Sequence, residues 1–135
     1  MSEIKTLLDI VAADHAKHYA DGPMSAEEAQ KQFLLYVAQG HIYYYTGKTI
    51  FIVSEAKGMP DTMEFHSMNA GGLKDLVQGI EEMLDHAKRR FRNAVTYYDN
   101  PELNNLGKFF KYPITFAKID EGADRTYSAT FHLRG

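Results

Sequence analysis

The spacing of apolar residues changes several times along the chain, and each change predicts a new element of secondary structure. Apolar residues recur at helical spacing from Ile4 to Ala12, which predicts a first helix that reaches about Tyr19. A second helix is predicted to begin at Ser25, because Glu28 lies three residues further on and completes a capping box. Gly40 is a typical residue to end that helix.

Beyond Gly40 the pattern becomes typical of β-strands. Short segments rich in aromatic and β-branched residues are separated by turns that contain glycine or proline. The predicted strands are His41–Tyr45, Thr49–Ser54, Met63–Met68, Ala94–Tyr98, Ile114–Ile119 and Tyr127–Leu133. The second of these strands is nearly all apolar, which predicts burial on both of its faces.

The rest of the chain is organised around the third strand and the turn that follows it. The turn Asn69-Ala70-Gly71-Gly72 ends the alternation of the strand. From Leu73 an apolar stripe runs to Phe91, which predicts a helix of about five turns, and Asn93 is expected to end it. A glycine turn that feeds a helix start can hold an anion, because backbone N–H groups point outward there and the helix dipole favours negative charge.

A further helix start follows the fourth strand. Asn100 precedes Pro101 and Glu102, which combines an Asx cap with a proline and an acidic residue in the first turn. A short helix is predicted from there to about Phe110. The resulting order, ααβββαβαββ, predicts a single α+β domain over residues 1–135, with a central, mainly antiparallel mixed sheet.

Composition narrows the classes of function. The 135 residues suffice for one folded domain, and 44% hydrophobic and 13% aromatic residues are typical of a globular protein. The formal net charge of −3 gives no basis for nucleic-acid binding. The absence of cysteine excludes disulfides and thiolate chemistry and fits a cytoplasmic location. No membrane association is expected, because no apolar run is long enough to cross a bilayer and the first residues show no secretory signal.

This order of elements resembles the GNAT acyltransferase fold without its first strand. The GNAT fold has three layers around a central sheet. In that family the last of three antiparallel strands runs into a glycine loop and a long helix that bind the pyrophosphate of acetyl-CoA. The strand–glycine–helix unit Met63–Phe91 is similar to that site. The segment Tyr98–Leu106, which contains Asn100-Pro101, is similar to the family's asparagine-proline segment. The resemblance extends from Ile4 to Leu133.

The resemblance implies a set of site residues. The backbone N–H groups that would hold the pyrophosphate belong to five consecutive residues, Asn69, Ala70, Gly71, Gly72 and Leu73. Asn100 matches the asparagine that commonly contacts the pantetheine arm of acetyl-CoA. Glu64 or His66 would take the proton from an attacking amine, and both project from one face because they lie two residues apart on a strand. Both also fit ordinary polar residues on the solvent side of a sheet, and the glycines fit a plain loop that needs positive φ.

The chain departs from the family's pattern at this site. The phosphate loop usually reads Arg/Gln-x-x-Gly-x-Gly/Ala, whereas the sequence here is Ser67-Met68-Asn69-Ala70-Gly71-Gly72. The family's general-acid tyrosine lies seven residues after the asparagine, a position that Gly107 occupies, while Tyr112 lies out of register. The missing first strand and the incomplete cofactor-loop motif are similar to those of GNAT-like proteins of short-tailed bacteriophages, which include internal-virion and assembly proteins.

Two functions follow from the resemblance. The first is acyl transfer from acetyl-CoA to an amine-bearing acceptor. The second is a non-catalytic role of a phage-encoded protein in virion assembly or on a host protein. It predicts a protein partner or a homo-oligomer, located in the host cytoplasm or the virion. No metal is expected in either case, since His15 and His18 have no acid or cysteine at a fixed spacing and are predicted to be a surface pair.

Overall fold

The computed structural model describes residues 2–18, 24–39, 42–121 and 125–134, and its elements follow the predicted order. The elements are α1 (Ser2–His18), α2 (Ala26–Ala38), β1 (Ile42–Thr46), β2 (Thr49–Glu55), β3 (Thr62–Asn69), α3 (Leu73–Ala87), β4 (Asn93–Tyr98), a 3₁₀ helix (Pro101–Phe109), β5 (Ile114–Lys118) and β6 (Tyr127–His132). The six strands form one mixed sheet in the order β1-β2-β3-β4-β6-β5, which confirms the predicted α+β class. Tyr19, Gly40 and His41, which entered the predicted boundaries, lie outside the described residues.

The chain divides into two compact units. The first unit holds Met1–Ile52 and Ser67–Leu76, and the second holds Val53–His66 and Val77–Gly135. Strands β2 and β3 and helix α3 therefore each contribute residues to both units. The single domain over residues 1–135 stays a prediction.

The first unit has an apolar core built by α1, α2 and β2. The core residues are Leu7, Ile10 and Val11 of α1, Phe33 of α2 and Ile50 of β2. The predicted capping box of α2 is confirmed, because the hydroxyl of Ser25 accepts the N–H of Glu28 at 3.1 Å and the Glu28 carboxylate accepts the N–H of Ser25 at 3.2 Å. The predicted two-sided burial of β2 holds only for its first residues, since Ser54 and Glu55 are exposed.

In the second unit, β4 lies between a parallel and an antiparallel neighbour. It pairs in parallel with β3 and in antiparallel with β6, which in turn pairs in antiparallel with β5. Three aromatic rings pack together here, two of them buried (Phe65 and Phe131) and one half-buried (Phe110). The ring of Phe131 lies 6.0 Å from that of Phe65 and 5.2 Å from that of Phe110, the second pair meeting edge to face.

Helix α3 ends earlier than its apolar stripe predicts. It closes at Ala87 after 15 residues, which is about four turns. The expectation that Asn93 ends this helix is wrong, because Asn93 is the first residue of β4. The N–H groups of Arg92 and Asn93 both donate to the carbonyl of Asp61, at 2.9 and 3.2 Å. These two long-range bonds direct the chain into the strand.

Candidate functional site

The turn between β3 and α3, residues 69–72, is called the glycine loop here, and it belongs to the first unit. Asn69 is only 6% exposed, and its N–H donates to a carboxylate oxygen of Asp14 at 3.1 Å. The N–H of Ala70 donates to the carbonyl of Lys48 at 2.9 Å. The N–H of Gly72 donates to Oδ1 of Asn69 at 2.7 Å. Three of the backbone donors that would face a pyrophosphate are therefore bonded to acceptors of the protein itself.

A carboxylate from the first turn of α3 lies against the same loop. Oδ2 of Asp75 accepts the N–H of Lys48 at 3.0 Å, the hydroxyl of Thr49 at 2.8 Å and Nδ2 of Asn69 at 3.1 Å. The same Asn69 amide also donates to Oγ1 of Thr49 at 2.7 Å. A negative charge in the first turn of a helix is favourable, because the macrodipole leaves partial positive charge there. Asp75 thus supplies the anion that such a helix start attracts.

The two glycines of the loop have different structural reasons. Gly72 has φ of +98°, which side-chain-bearing residues rarely adopt, so a glycine is required there whatever the loop binds. A Cβ on Gly71 would lie 2.9 Å from the Cβ of Asp75, so this glycine makes room for the acid. Leu73, the first residue of α3, is exposed.

In the second unit, the parallel pairing of β3 with β4 is short. It covers three residue pairs, from Thr62↔Asn93 to Glu64↔Val95, and ends there. Strand β4 continues to Tyr98 and stays paired with β6 over its whole length. The edge of β4 beyond Val95 therefore lies past the ladder with β3. We call residues 96–98 the open edge of β4.

Glu64 and His66 lie at the point where this pairing stops, and the prediction that they share a face is confirmed. Nε2 of His66 is 3.3 Å from Oε2 of Glu64, and the same oxygen accepts Nη2 of Arg125 at 3.0 Å. The Arg125 guanidinium lies over the ring of Tyr97, 4.2 Å from its centroid. The Glu64 side chain is 17% exposed and that of His66 is 55% exposed. Burial, followed by the charge of Glu64, raises the pKa of Tyr97 above its usual range.

Asn100 and two tyrosines, Tyr98 at the end of β4 and Tyr112 after the 3₁₀ helix, have partners within the protein. Asn100 is exposed, and its Oδ1 accepts the N–H of Glu102 at 3.0 Å as the cap of the 3₁₀ helix. The hydroxyl of Tyr112 donates to Asp85 of α3. Burial and this hydrogen bond raise the pKa of Tyr112 to about 12, and burial raises that of Tyr98 to about 12. Neither phenol is tuned to release a proton near neutral pH.

Comparison with solved structures identifies the architecture. The chain is similar to RimL, a ribosomal alpha-N-protein acetyltransferase in complex with coenzyme A, with a TM-score of 0.59 and 16% identity over 96% of this chain and 87% of that one. It is also similar to the ribosomal-protein-alanine N-acetyltransferase of Brucella melitensis, with a TM-score of 0.56 and 11% identity over 96% of this chain and 92% of that one. This chain has a GNAT-like fold. A GNAT-family acetyltransferase of Streptococcus pneumoniae aligns with a TM-score of 0.54 and 12% identity over 95% of this chain and 92% of that one.

No protein-family model and no curated protein matches the chain. Identities this low establish the fold, so the activity has to be argued from the site itself. Glu64 and His66 lie next to each other at the end of the β3–β4 ladder, whereas three backbone donors of the glycine loop are bonded to acceptors within the protein.

The sequence analysis missed Arg125, which bonds to Glu64, and Asp75, which lies against the glycine loop. Each acts on residues distant in sequence, Arg125 on Glu64 and Asp75 on Lys48 and Thr49. Each also lies in a segment without a recognisable motif. The only local signal was an acid in the first turn of α3, which is common in helices for dipole reasons alone.

Other candidate sites are weaker. Among the described residues no group of three or more histidine and acidic side chains could hold a metal ion. His15 is 8% exposed, so the prediction that it is a surface residue is wrong, and the side chain of His18 lies outside the described part. No helix in the described ranges is long and apolar enough to span a bilayer.

Proposed function

We propose that this protein is a GNAT-fold N-acyltransferase that transfers an acyl group from an acyl-CoA thioester to an amine. The observation that supports it is the end of the β3–β4 ladder at Glu64↔Val95, which leaves the open edge of β4 beside the two candidate proton acceptors. A pantetheine arm carries two amide groups, and an extended chain of amides can pair with an exposed strand edge. Acetyl-CoA is the proposed donor, and an amine-bearing molecule is the acceptor.

His66 is the proposed proton acceptor, and Glu64 is the residue that positions it. Glu64 is largely buried and already bonded to Arg125, whereas His66 is mostly exposed. When Nε2 of His66 donates to Glu64, Nδ1 is left as the acceptor. The neutral amine nitrogen would form a bond to the thioester carbon and give its proton to His66, while the carbon–sulfur bond breaks and CoA leaves as a thiolate. Protonated His66 would then give this proton to the thiolate, which restores the neutral imidazole and yields free CoA. Most of the acceleration then comes from placing amine and thioester together.

The internally bonded glycine loop predicts weak affinity for the nucleotide end of acetyl-CoA. With a dissociation constant of about 0.1 mM, acetyl-CoA at about 1 mM would stabilise the protein by roughly 1.4 kcal/mol, a measurable thermal shift. His66→Gln should keep this shift and lower acyl transfer by about 100-fold or more. His86→Gln, which changes a histidine on the exposed side of α3, is the matched control and should transfer at the wild-type rate. The proposal fails if acetyl-CoA produces neither a thermal shift nor acyl transfer to any amine.

A second candidate is a non-catalytic protein on the same fold, and the occupied donors of the glycine loop favour it. Such a protein would act through a protein partner or as a homo-oligomer, and a phage origin would place it in the virion or the host cytoplasm. Sedimentation and an acetyl-transfer assay on one preparation separate the two candidates. A monomer that acetylates a generic amine at an ordinary enzymatic rate contradicts this second candidate.

A further inference from the structure

The carboxylate of Asp75 has the surroundings of a bound anion. Three donors from three different residues, a backbone N–H, a hydroxyl and a side-chain amide, converge on its Oδ2 within 3.1 Å. They come from the β1–β2 turn, from the first residue of β2 and from the end of β3, and they meet at the positive end of α3. Charge-assisted hydrogen bonds of this kind are about twice as strong as neutral ones.

The space around this carboxylate is fitted to it. A Cβ on Gly71 would lie 2.9 Å from Cβ and Cγ of Asp75, and a Cβ on Gly47 would lie 2.5 Å from its Oδ1. Glycines on two separate turns thus allow the acid to enter. The glycines of this chain make room for an internal carboxylate, where those of a phosphate loop make room for a ligand.

We infer that Asp75 is an internal anion that closes the glycine loop against pyrophosphate, so that the acyl donor is selected by its pantetheine end. The inference rests on the proposed function for the identity of the donor. The pyrophosphate of CoA would meet a like charge at Asp75 and backbone donors that already have acceptors. An acyl-pantetheine without a nucleotide should therefore serve nearly as well as acyl-CoA, and Asp75 is the residue that sets this specificity.

The direct test uses inorganic pyrophosphate as the probe and needs no acyl donor. Backbone amide signals of wild type, Asp75→Ala, Asp75→Asn and Glu82→Ala are followed by NMR during titration at constant ionic strength. Wild type and the Glu82→Ala control should show no saturable shifts at residues 69–73. The Asp75 variants should bind pyrophosphate at least about tenfold more tightly than the wild type, because the negative charge of Asp75, a few ångströms from the ligand, is removed. Asp75→Asn keeps the shape and one acceptor oxygen, so it covers the case in which Asp75→Ala fails to fold.

Two results would overturn the inference. One is saturable binding of pyrophosphate by the wild type with shifts at residues 69–73, which requires no variant at all. The other is a folded Asp75 variant that binds pyrophosphate no better than the wild type. A separate measurement compares acetyl-pantetheine with acetyl-CoA as donors for the wild type, with KM values expected within about threefold of each other. If neither donor supports transfer, the proposed function fails while the pyrophosphate titration still decides the role of Asp75.

Discussion

Replacing Asn69 with alanine should destabilise the protein by about 2–4 kcal/mol, whether or not any cofactor binds. The side-chain amide is buried and makes three hydrogen bonds, to Thr49, Asp75 and the N–H of Gly72. Each bond is worth about 1 kcal/mol net, and a buried N–H left without an acceptor adds about 1 kcal/mol or more. The lower end of the range applies if water enters the space that the amide leaves.

Urea denaturation followed by far-ultraviolet circular dichroism measures this loss. With a slope of roughly 2 kcal/mol per molar urea, the midpoint should fall by about 1–2 M. Asn100→Ala is the matched control, since that asparagine is exposed and caps a single N–H, and it should cost about 1 kcal/mol or less. A loss at Asn69→Ala below about 0.5 kcal/mol, the range of ordinary surface substitutions, would refute the reasoning that Asn69 closes the loop.

Asn69→Asp sharpens the same test through pH. The aspartate keeps an acceptor for Gly72 but loses both amide donors and faces the carboxylate of Asp75. Because two like charges in contact repel each other, this variant should lose stability relative to wild type as the pH rises and the introduced carboxyl loses its proton. It should therefore be closer to wild type at about pH 4 than at about pH 7. An equal loss at both pH values would contradict the assigned contact.

Three further outcomes are expected. Gly47→Ala should lower the stability by about 2 kcal/mol, because Gly47 has φ of +57° and a Cβ would lie 2.5 Å from Oδ1 of Asp75. When Gly47→Ala is combined with Asp75→Ala, the two losses of stability should be less than additive. Fully additive losses in the double variant would contradict the clash. Tyr112→Phe should cost about 1 kcal/mol or less near neutral pH in urea denaturation. The hydrogen bond from Tyr112 lowers the pKa of Asp85 in the folded protein. The stability that this bond provides is therefore present above the unfolded-state pKa of Asp85 and is lost as pH falls through its folded-state pKa. A stability difference between Tyr112→Phe and wild type that does not change with pH would contradict this. Tyr98 and Tyr112, with pKa values of about 12, should ionise at higher pH than exposed tyrosines in an ultraviolet absorbance titration. The stability of the protein should fall as the pH rises toward these pKa values. Ionisation of all tyrosines together, near the pKa of an exposed tyrosine, would contradict the burial of these two.

Local chemistry was enough to predict the elements whose boundaries are set by neighbouring residues. The capping box of Ser25 and Glu28 places the start of α2, and Asn100 with Pro101 places the start of the 3₁₀ helix. The end of α3 could not be predicted in the same way. Phe91 continues the apolar stripe, but the carbonyl of Asp61 takes the N–H groups of Arg92 and Asn93 across about thirty residues of chain. A long-range hydrogen bond of this kind leaves no periodic signal in the sequence.

The sequence predicted that Glu64 and His66 lie side by side, but it did not predict how their surroundings differ. Alternation along β3 places Glu64 and His66 on one face. The sequence treats the two as equivalent, whereas the structure distinguishes them because Arg125, 61 residues away, bonds to Glu64. The burial of Glu64, its contact with Arg125 and the exposure of His66 are properties of the folded chain. The proposal that His66 accepts the proton therefore depends on the structure.

The glycine loop shows why a phosphate-loop pattern is ambiguous in a single sequence. Two glycines before a helix leave backbone donors to be satisfied, and an external anion or a side chain can satisfy them equally well. In this chain the decisive residues are Asn69, whose Oδ1 accepts the N–H of Gly72, and Asp75, whose carboxylate takes the donors of the neighbouring turn. In a loop that binds an external phosphate, an acid at this position would weaken binding, because its negative charge repels the phosphate. An asparagine three residues before the last glycine, with an acid six residues after that asparagine, is therefore the pattern to which we attribute the inferred closure of this loop.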